Sequence, residues 1–390
     1  MFAVALLLRV GSVTAQTAGE QDQLAVADTT AGLIHRFVLD LLPDRVLHTS
    51  QYLAGDNLPG KTVNALNSVS MKYGFQFDER SERALAYGQP RQGIGITKHW
   101  GDRLIGSPWS VFLFQGAQIA TMGQRLSLDY EWKFGLTSGW ETYDNYFNPA
   151  NRVFGARTTA LMNLSLMLDY RLCRWLDVSL GLAATHYSNG NTRFPNAGLN
   201  TLGGRLSLAW LANRHYDLRP DVRRMAQPVV GRNVYFDLML YGAWCTGGVL
   251  DEEGNSIALD RTYAVWGLNL APMYRFSHLF AAGLSLDAVY DRSANLQLAS
   301  VKKQIVPYDH KPDNQTALGV SARGEFMMPF FTINAGVGAN VIGAKGDLKG
   351  VYQVLALKVD IFSGLYANIG YTLHDFSDPD HLMFGLGFRY

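Results

Sequence analysis

The sequence lacks an apolar segment long enough to form a membrane-spanning helix. Such a helix needs about 20 apolar residues, and the apolar run near the start, FAVALLL, covers only residues 2–8. Charge is also scarce, because charged residues make up 17% of the chain, below the roughly 25% of soluble domains. These two deficits exclude a helical membrane protein and argue against an ordinary soluble surface.

Net charge and cysteine are scarce as well. The 34 basic and 33 acidic residues leave a net charge of +1, which argues against a nucleic-acid partner because nucleic-acid-binding proteins carry a clustered basic excess. Cys173 and Cys245 are the two cysteines, and an even number in an exported chain suggests a disulfide. Their positions on the strands described below decide that question.

The first residues have the pattern of an export signal. The apolar run at 2–8 is followed by SVTAQ at 12–16, with small side chains at Val13 and Ala15. This order is typical of a signal peptide and its cleavage site. We therefore predict a signal peptide over residues 1–15 and an exported protein.

From about residue 70 onward the dominant period is two, which is the period of β-strands. In 124–136 the apolar face carries Leu126, Leu128, Tyr130, Trp132, Phe134 and Leu136. The same alternation recurs at 158–170, 175–188, 200–212, 232–244, 263–275, 279–291, 315–328, 331–342, 351–361, 364–374 and 381–390, and more weakly at 71–78, 91–98 and 109–118. The chain is predicted to be all-β, with strands that are apolar on one face.

A soluble sandwich and a membrane barrel both produce such strands, and three features favour the barrel. Many strands span 11 to 14 residues, whereas strands of globular sheets have about five or six. Connections alternate between short and long, as in outer-membrane barrels. The ending LMFGLGFRY alternates up to a terminal aromatic residue and resembles the last strand of such barrels. We predict an antiparallel transmembrane β-barrel of the bacterial outer membrane.

Counting strands back from Tyr390 assigns the connections to the two sides of the membrane. The short turns fall on the periplasmic side, and 137–156 and 188–199 fall outside. Residues 214–231 become a long periplasmic linker. Two arrangements stay open: one barrel of about 14 to 16 strands, or two halves of about eight strands each. We assign 16–60 to an N-terminal periplasmic segment, 61–213 to the first half and 232–390 to the second.

The same alternation directs many charged side chains inward. In a barrel of about eight strands they would form a paired polar core, and in a wider barrel they would line a pore. Cys173 and Cys245 fall at opposite ends of the barrel, roughly 25 Å apart. A disulfide needs Cα atoms within about 7 Å, so we predict two thiols. The inward set is Arg125, Asp129, Glu131, Lys133, Asp169, Asp177, Arg205, Asp237, Asp287, Arg323, Glu325, Lys358 and Asp360.

The stretch ATHYSNGNTRFPNAGLN at 184–200 combines a histidine and a serine with four asparagines. His186 and Ser188 continue the apolar face of their strand, and Asn200 heads the apolar face of the next one. Facing side chains of adjacent strands lie about 5 Å apart. That distance suits a serine nucleophile, a histidine base and a third group that orients the imidazole. The alternative is a polar barrel rim without chemistry.

The hairpin resembles the active-site hairpin of the lipid A 3-O-deacylase (PagL) family of outer-membrane barrels. That family has His-x-Ser-Asn followed by Pro-Asn-x-Gly, and the resemblance extends over about residues 71–212. It implies an esterase that removes an acyl chain from lipid A, the anchor of lipopolysaccharide, with His186 as general base and Ser188 as nucleophile. The matching residues are His186, Ser188, Asn189, Pro195, Asn196 and Gly198.

The resemblance also implies an oxyanion hole at Asn196 and the backbone near Asn189. Where the family has an acidic residue, this chain has Asn200. An amide oxygen can fix the imidazole tautomer, but it cannot stabilise the imidazolium by charge. We interpret the set His186, Ser188 and Asn200 as a working variant.

Two other functions compete with this interpretation, a non-catalytic pore or structural barrel and an outer-membrane phospholipase. An enzyme needs its site residues clustered outside the wall, and a pore needs an open lumen. No cofactor, metal or nucleic acid is predicted, because His310 and Asp313 in YDHKPDNQ (308–315) have no second ligand cluster and fit a solvated loop. The predicted partner is the acyl portion of lipopolysaccharide in the membrane.

Overall fold

The computed structural model describes most of the chain after the start. The described residues are 32–220, 225, 228–246, 248–250, 256–258, 261–295, 297–301, 304–308, 314–376 and 378–390. The predicted signal peptide, His310 and Asp313 lie outside them. No helix in these ranges is long and apolar enough to cross a bilayer.

The first half of the chain closes into an antiparallel barrel in which the eighth strand pairs back onto the first. Strands that are adjacent in this barrel are also consecutive in the sequence, apart from the pair that closes it. The strands are β1 (Ile34–Leu47), β2 (Ala65–Gln76), β3 (Arg91–Gly101), β4 (Gly106–Met122), β5 (Leu126–Trp140), β6 (Thr158–Cys173), β7 (Leu176–Ser188) and β8 (Leu199–Ala212). Two short helices lie in the loops, α1 (Gln51–Ala54) and α2 (Glu82–Ala86).

The second half closes into another barrel of eight strands, in the order β12-β13-β16-β17-β18-β19-β20-β9. Two separate hairpins, β10–β11 and β14–β15, are inserted between its strands. The strands are β9 (Asn233–Cys245), β10 (Gly248–Leu250), β11 (Ser256–Ala258), β12 (Tyr263–Arg275), β13 (Phe280–Asp291), β14 (Gln297–Val301), β15 (Gln304–Tyr308), β16 (Thr316–Met328), β17 (Phe331–Ile342), β18 (Val351–Phe362), β19 (Leu365–His374) and β20 (Asp378–Arg389). A 3-10 helix spans Gly346–Leu348.

The prediction of an all-β membrane barrel is therefore confirmed, and of its two arrangements the structure has two eight-stranded barrels. The N-terminal assignment is wrong in one part. We expected residues 16–60 to form a separate periplasmic segment, but Ile34–Leu47 is a strand paired with both β2 and β8. Its inward face carries Val38 and Leu42 while its outward face carries Phe37 and Leu41. Apolar residues on both faces hide the period of two.

A cluster of buried charges fills the first barrel. Asp40 is its centre, since its carboxylate lies 3.1 Å from Lys72 Nζ, 3.2 Å from Lys133 Nζ and 3.0 Å from an Arg205 guanidinium nitrogen. Glu131 accepts from Lys72 at 2.7 Å and from Arg205 at 2.6 Å. In a barrel this narrow, interior side chains meet one another and fill the lumen. The inward charged side chains of this barrel therefore form a paired polar core, and they do not line a pore.

The linker after β8 closes one end of this barrel. Arg214 donates twice to Asp177, at 2.7 Å each, and Arg219 pairs with Asp169. Arg125 is an exception among the predicted inward residues. It lies in the turn before β5 and donates to backbone oxygens at the end of β6.

The second barrel repeats the scheme with fewer charges. Lys358 bridges Asp237 at 2.8 Å and Glu325 at 2.5 Å, and Arg323 pairs with Asp287 at 2.9 Å. The predicted inward residue Asp360 is exposed near the end of β18. Cys173 and Cys245 are not joined by a disulfide, as we predicted.

The two barrels touch along their outward faces. Trp132 of β5, Phe331 of β17 and Leu357 of β18 form a buried apolar cluster there. Trp132 and Phe331 meet edge to face, with ring centroids 5.5 Å apart. A wall that would otherwise meet lipid is covered by the neighbouring barrel.

Asp40→Asn tests how far the buried charges stabilise the first barrel. The substitution keeps the shape of the side chain but leaves three cations with one carboxylate fewer. We expect the free energy of unfolding to fall by about 3 to 5 kcal/mol, as when one partner of a buried ion pair is removed. Urea unfolding of the refolded protein in lipid, followed by tryptophan fluorescence, measures the change.

The matched control is Asp56→Asn in the β1–β2 loop. Asp56 is exposed, so this change should alter stability by no more than about 0.5 kcal/mol. Equal stabilities of the two variants would show that the cluster contributes little net energy.

Candidate active site

The pairing register of β7 and β8 brings the predicted residues together. His186 lies directly across from Asn200. It shares its face of β7 with Leu180 and Leu182, which are 64% and 65% exposed on the outside of the barrel. The side chains of His186 and Ser188 therefore point away from the charged interior, as predicted.

His186 and Asn200 are joined by a hydrogen bond. His186 Nδ1 lies 2.7 Å from Asn200 Oδ1. The amide nitrogen of Asn200 lies 3.5 Å from Thr49 Oγ1 in the loop after β1, so its oxygen faces the imidazole. An amide oxygen accepts and cannot donate. Nδ1 therefore carries the proton, and Nε2 keeps the lone pair that a general base needs.

Ser188 lies among hydrogen-bonding groups from both barrels. Asn196 Nδ2 donates to Ser188 Oγ at 3.0 Å, and the backbone N–H of Gly190 donates to it at 3.2 Å. The hydroxyl of Tyr371, on β19 of the second barrel, lies 2.9 Å from the same oxygen. Ser188 is 3% exposed. The serine predicted to face lipid is thus covered by the second barrel.

Asn189 holds the loop in shape. Its backbone N–H donates to Asn196 Oδ1 at 2.9 Å, which holds the Asn196 amide beside Ser188, with Nδ2 3.0 Å and Oδ1 3.1 Å from Ser188 Oγ. Its side-chain amide donates to the backbone oxygen of Arg193 at 2.6 Å. The backbone N–H that reaches Ser188 is that of Gly190 rather than that of Asn189.

Ser188 and His186 are not hydrogen-bonded to each other in the described hairpin. Two residues on one strand face stand about 6.6 Å apart along the strand. In this arrangement Ser188 Oγ bonds Tyr371 and Asn196 instead. Catalytic hydrogen bonds often tighten only when substrate is bound.

Tyr371 and Gly190 were missed by the sequence reasoning. Tyr371 follows Tyr366 by five positions on β19, so the two side chains point to opposite faces of the strand. The Tyr366 hydroxyl bonds Asp237 inside the second barrel, and Tyr371 therefore faces outward. It is nevertheless 8% exposed. A sequence signal for a covered wall did exist at Gln115, a polar residue on the outward face of β4. Gln115 is fully buried and accepts from Trp132 Nε1 at 2.5 Å.

A cavity of about 440 Å³ lies between the barrels beside this hairpin. His186 and Asn200 border it on one side and Tyr371 on the other. Most of the remaining lining is apolar. Side chains of both barrels contribute, among them Leu47, Trp132, Phe134, Met162, Leu164, Ala184, Leu202, Ile333, Leu355, Leu357 and Leu382.

Comparison with known families gives one match to each barrel. The lipid A 3-O-deacylase (PagL) family model matches residues 60–209. The model described as the C-terminal domain of acyloxyacyl hydrolase matches residues 234–390. The chain belongs to the lipid A 3-O-deacylase family. This membership makes it an ester hydrolase of the bacterial outer membrane, as predicted, and extends the likeness to the second barrel, for which the sequence reasoning had offered no function.

Solved structures of outer-membrane barrels are similar only at a low level. The toluene transporter TodX of Pseudomonas putida is 10% identical with a TM-score of 0.17, and the alignment covers 96% of this chain and 94% of that one. A mutant porin of Rhodopseudomonas blastica is 8% identical with a TM-score of 0.17, covering 92% and 100%. No curated protein matches the sequence.

Gly198→Ala tests whether the loop positions the imidazole. Gly198 has a φ of +70°, and an added Cβ would lie 3.2 Å from His186 Cε1 and 3.0 Å from the backbone oxygen of Tyr187. We expect kcat for ester hydrolysis to fall at least tenfold, because the methyl group displaces the ring, while the barrel stays folded. Ester hydrolysis and heat-modifiable gel mobility measure the two properties.

Gly204→Ala, on the strand β8 that begins directly after Gly198, is the matched control. An added Cβ at Gly204 meets nothing within 4 Å, so its activity should equal that of the wild type. Equal loss of activity in both variants would mean that the effect does not act through His186.

Proposed function

We propose that the protein removes an ester-linked acyl chain from lipid A by a relay of Ser188, His186 and Asn200. The 2.7 Å contact between His186 Nδ1 and Asn200 Oδ1 carries the proposal. It fixes the imidazole so that Nε2 is the base, on the same outward face as Ser188. Family membership supplies the reaction class, and this contact supplies the roles.

The first half of the reaction forms an acyl-enzyme. Ser188 Oγ attacks the ester carbonyl carbon while its proton passes to His186 Nε2. The tetrahedral intermediate collapses when the C–O bond to the sugar breaks and His186 returns that proton to the leaving alkoxide oxygen. A water molecule then gives a proton to His186 while its oxygen attacks the carbonyl carbon of the acyl-enzyme. The bond between that carbon and Ser188 Oγ breaks, His186 returns the proton to Ser188 Oγ, and the fatty acid is released.

Two donors are placed to stabilise the negative oxygen of the tetrahedral intermediate. Asn196 Nδ2 and the Gly190 N–H both lie within 3.2 Å of Ser188 Oγ. When Oγ turns toward the carbonyl carbon, they remain beside the reacting centre. Such prearranged donors contribute about 3 to 4 kcal/mol each in acyl-transfer enzymes. Asn189 acts through Asn196, which it holds in place.

The rival functions differ in what they require. A pore needs an open lumen, but the described interior of the first barrel is occupied by paired charges. A phospholipase would use the same hairpin on a different lipid ester. The lipid that loses an acyl chain therefore distinguishes a phospholipase from a lipid A deacylase, whereas the barrel wall is the same for both.

Ser188→Ala tests the reaction and the nucleophile together. Mass spectrometry of lipid A from cells that make the wild-type protein should show a species lacking one acyl chain. The variant should not produce it, because alanine has no nucleophilic oxygen. Loss of an acyl chain from glycerophospholipids instead would favour the phospholipase, and identical spectra for all lipids would contradict an esterase.

Asn200→Asp tests the third member of the relay. A carboxylate would stabilise the imidazolium that an amide can only orient, and exchanging these groups in serine proteases changes kcat by up to about 10⁴-fold. We expect kcat to rise at least tenfold in Asn200→Asp. Asn200→Leu, which cannot accept the Nδ1 proton, should lower it at least tenfold. Unchanged kcat in both variants would remove Asn200 from the mechanism.

A further inference from the structure

We propose that the second barrel forms one wall of the acyl-chain site, so that the chain of the ester substrate binds in the cleft between the two barrels. The proposal rests on the proposed function, since it concerns the substrate of the same site. It assigns to residues 331–382 a part in binding and in setting the preferred chain length.

The wall supplied by the first barrel consists of two rows of outward side chains that the strand register aligns. The upper row runs across Phe134, Met162, His186, Asn200 and Leu47. The lower row runs across Trp132, Leu164, Ala184 and Leu202. Every residue of both rows lines the cleft. The lining of the cleft therefore includes His186 and Ala184 on this face of β7, and Ser188 follows His186 at about 6.6 Å farther along the strand.

Ala184 makes the lower row concave. Its small side chain stands between Leu164 and Leu202 on the neighbouring strands. A larger residue there would fill the cleft below His186. This depression begins directly under the base and leads away from Ser188.

The second barrel supplies the opposite wall from the outward faces of its last strands. Ile333, Leu357 and Tyr371 face the cleft from β17, β18 and β19. These side chains could have met lipid, yet Leu357 is 5% exposed and Tyr371 is 8% exposed. The second barrel thus covers the cleft beside His186, through Tyr371, whose hydroxyl bonds Ser188.

The cleft opens sideways, at the level where side chains remain exposed. Leu164 is 61% exposed and Leu355 is 46% exposed, one from each barrel. Both line the cleft. In a membrane, this mouth faces the hydrocarbon chains of the leaflet. An acyl chain can enter from the side without leaving an apolar environment.

The lining specifies the chemistry of the occupant. Apart from His186, Asn200 and the Tyr371 hydroxyl, the side chains that project into the cleft are mainly aliphatic or aromatic. A sugar or phosphate group would lose its water there without enough hydrogen-bond partners. A hydrocarbon chain fits the lining, and its ester end would lie next to the polar residues.

Tyr371 connects this wall with the chemistry. Its hydroxyl lies 2.9 Å from Ser188 Oγ, and its ring lines the cleft. We assign it as a positioning residue that holds the serine oxygen until the substrate carbonyl arrives. Tyr371→Phe should therefore lower kcat by a similar factor for esters of every chain length, with KM little changed.

The experiment compares kcat/KM for straight-chain acyl esters of one chromogenic phenol, from acetyl upward, in the full-length protein. Ala184→Phe should lower the ratio of long-chain to short-chain kcat/KM by about fourfold for each methylene displaced from the cleft, from the transfer energy of a CH₂ group. Leu357→Ala removes part of the wall that the second barrel supplies and so enlarges the cleft. This variant should move the preferred length to longer chains.

Each variant has a matched control at an outward position that does not line the cleft. Leu180→Phe on the same strand as Ala184 and Leu286→Ala in the second barrel alter residues that are more than 60% exposed. Both should keep the wild-type length profile. Heat-modifiable gel mobility verifies that all four variants fold.

The outcomes separate this inference from the proposed function. A wild-type protein that hydrolyses no ester contradicts the proposed function. Hydrolysis with an unchanged length profile in Ala184→Phe and Leu357→Ala overturns only the role of the cleft, which would then hold an inert lipid that seals the two barrels. A changed profile in Ala184→Phe alone assigns the site to the first barrel and overturns the role of the second.

Discussion

The narrowness of an eight-stranded barrel is the constraint on which the rest of the structure depends. Its interior is just wide enough for side chains, so charged residues that point inward have to neutralise one another. Asp40, with three cations around its carboxylate, shows how completely this occurs. With the lumen filled, the first barrel has little room inside for a lipid substrate. The chemistry has to lie on the outer wall, where His186 and Ser188 are placed by the alternation of β7.

Polar groups on the outer wall of a barrel lose hydrogen bonds to water when they face hydrocarbon, which costs free energy. The second barrel replaces the hydrocarbon next to this part of the wall with protein. It covers Ser188, whose oxygen bonds the Tyr371 hydroxyl, and it packs against Trp132, the residue that donates to the buried Gln115. It also leaves His186 partly accessible at the cleft. A substrate ester therefore meets a cleft with a mostly apolar lining that opens toward the leaflet. The two matched families, one on each barrel, are consistent with this shared site.

The sequence alone predicts much of this arrangement, and the three parts that it leaves out each have a physical reason. Alternation predicts the strands and the inward charges, and the spacing in 186–200 brings His186 opposite Asn200. β1 was missed because both of its faces carry apolar residues. The packing of two barrels was left open because a wall that meets another protein and a wall that meets lipid are equally apolar. Tyr371, 183 residues from Ser188 along the chain, has no local pattern that marks its contact.

The amide at Asn200 agrees with this environment. In a water-exposed relay an acidic residue is favoured because it stabilises the imidazolium. In a cleft with few polar groups a carboxylate loses hydration, and its charge needs a partner to offset that cost. Asn200 fixes the imidazole tautomer through the same 2.7 Å hydrogen bond without bringing a charge between the barrels. The covered wall thus gives a neutral orienting residue a physical advantage, and a slower proton transfer is its expected cost.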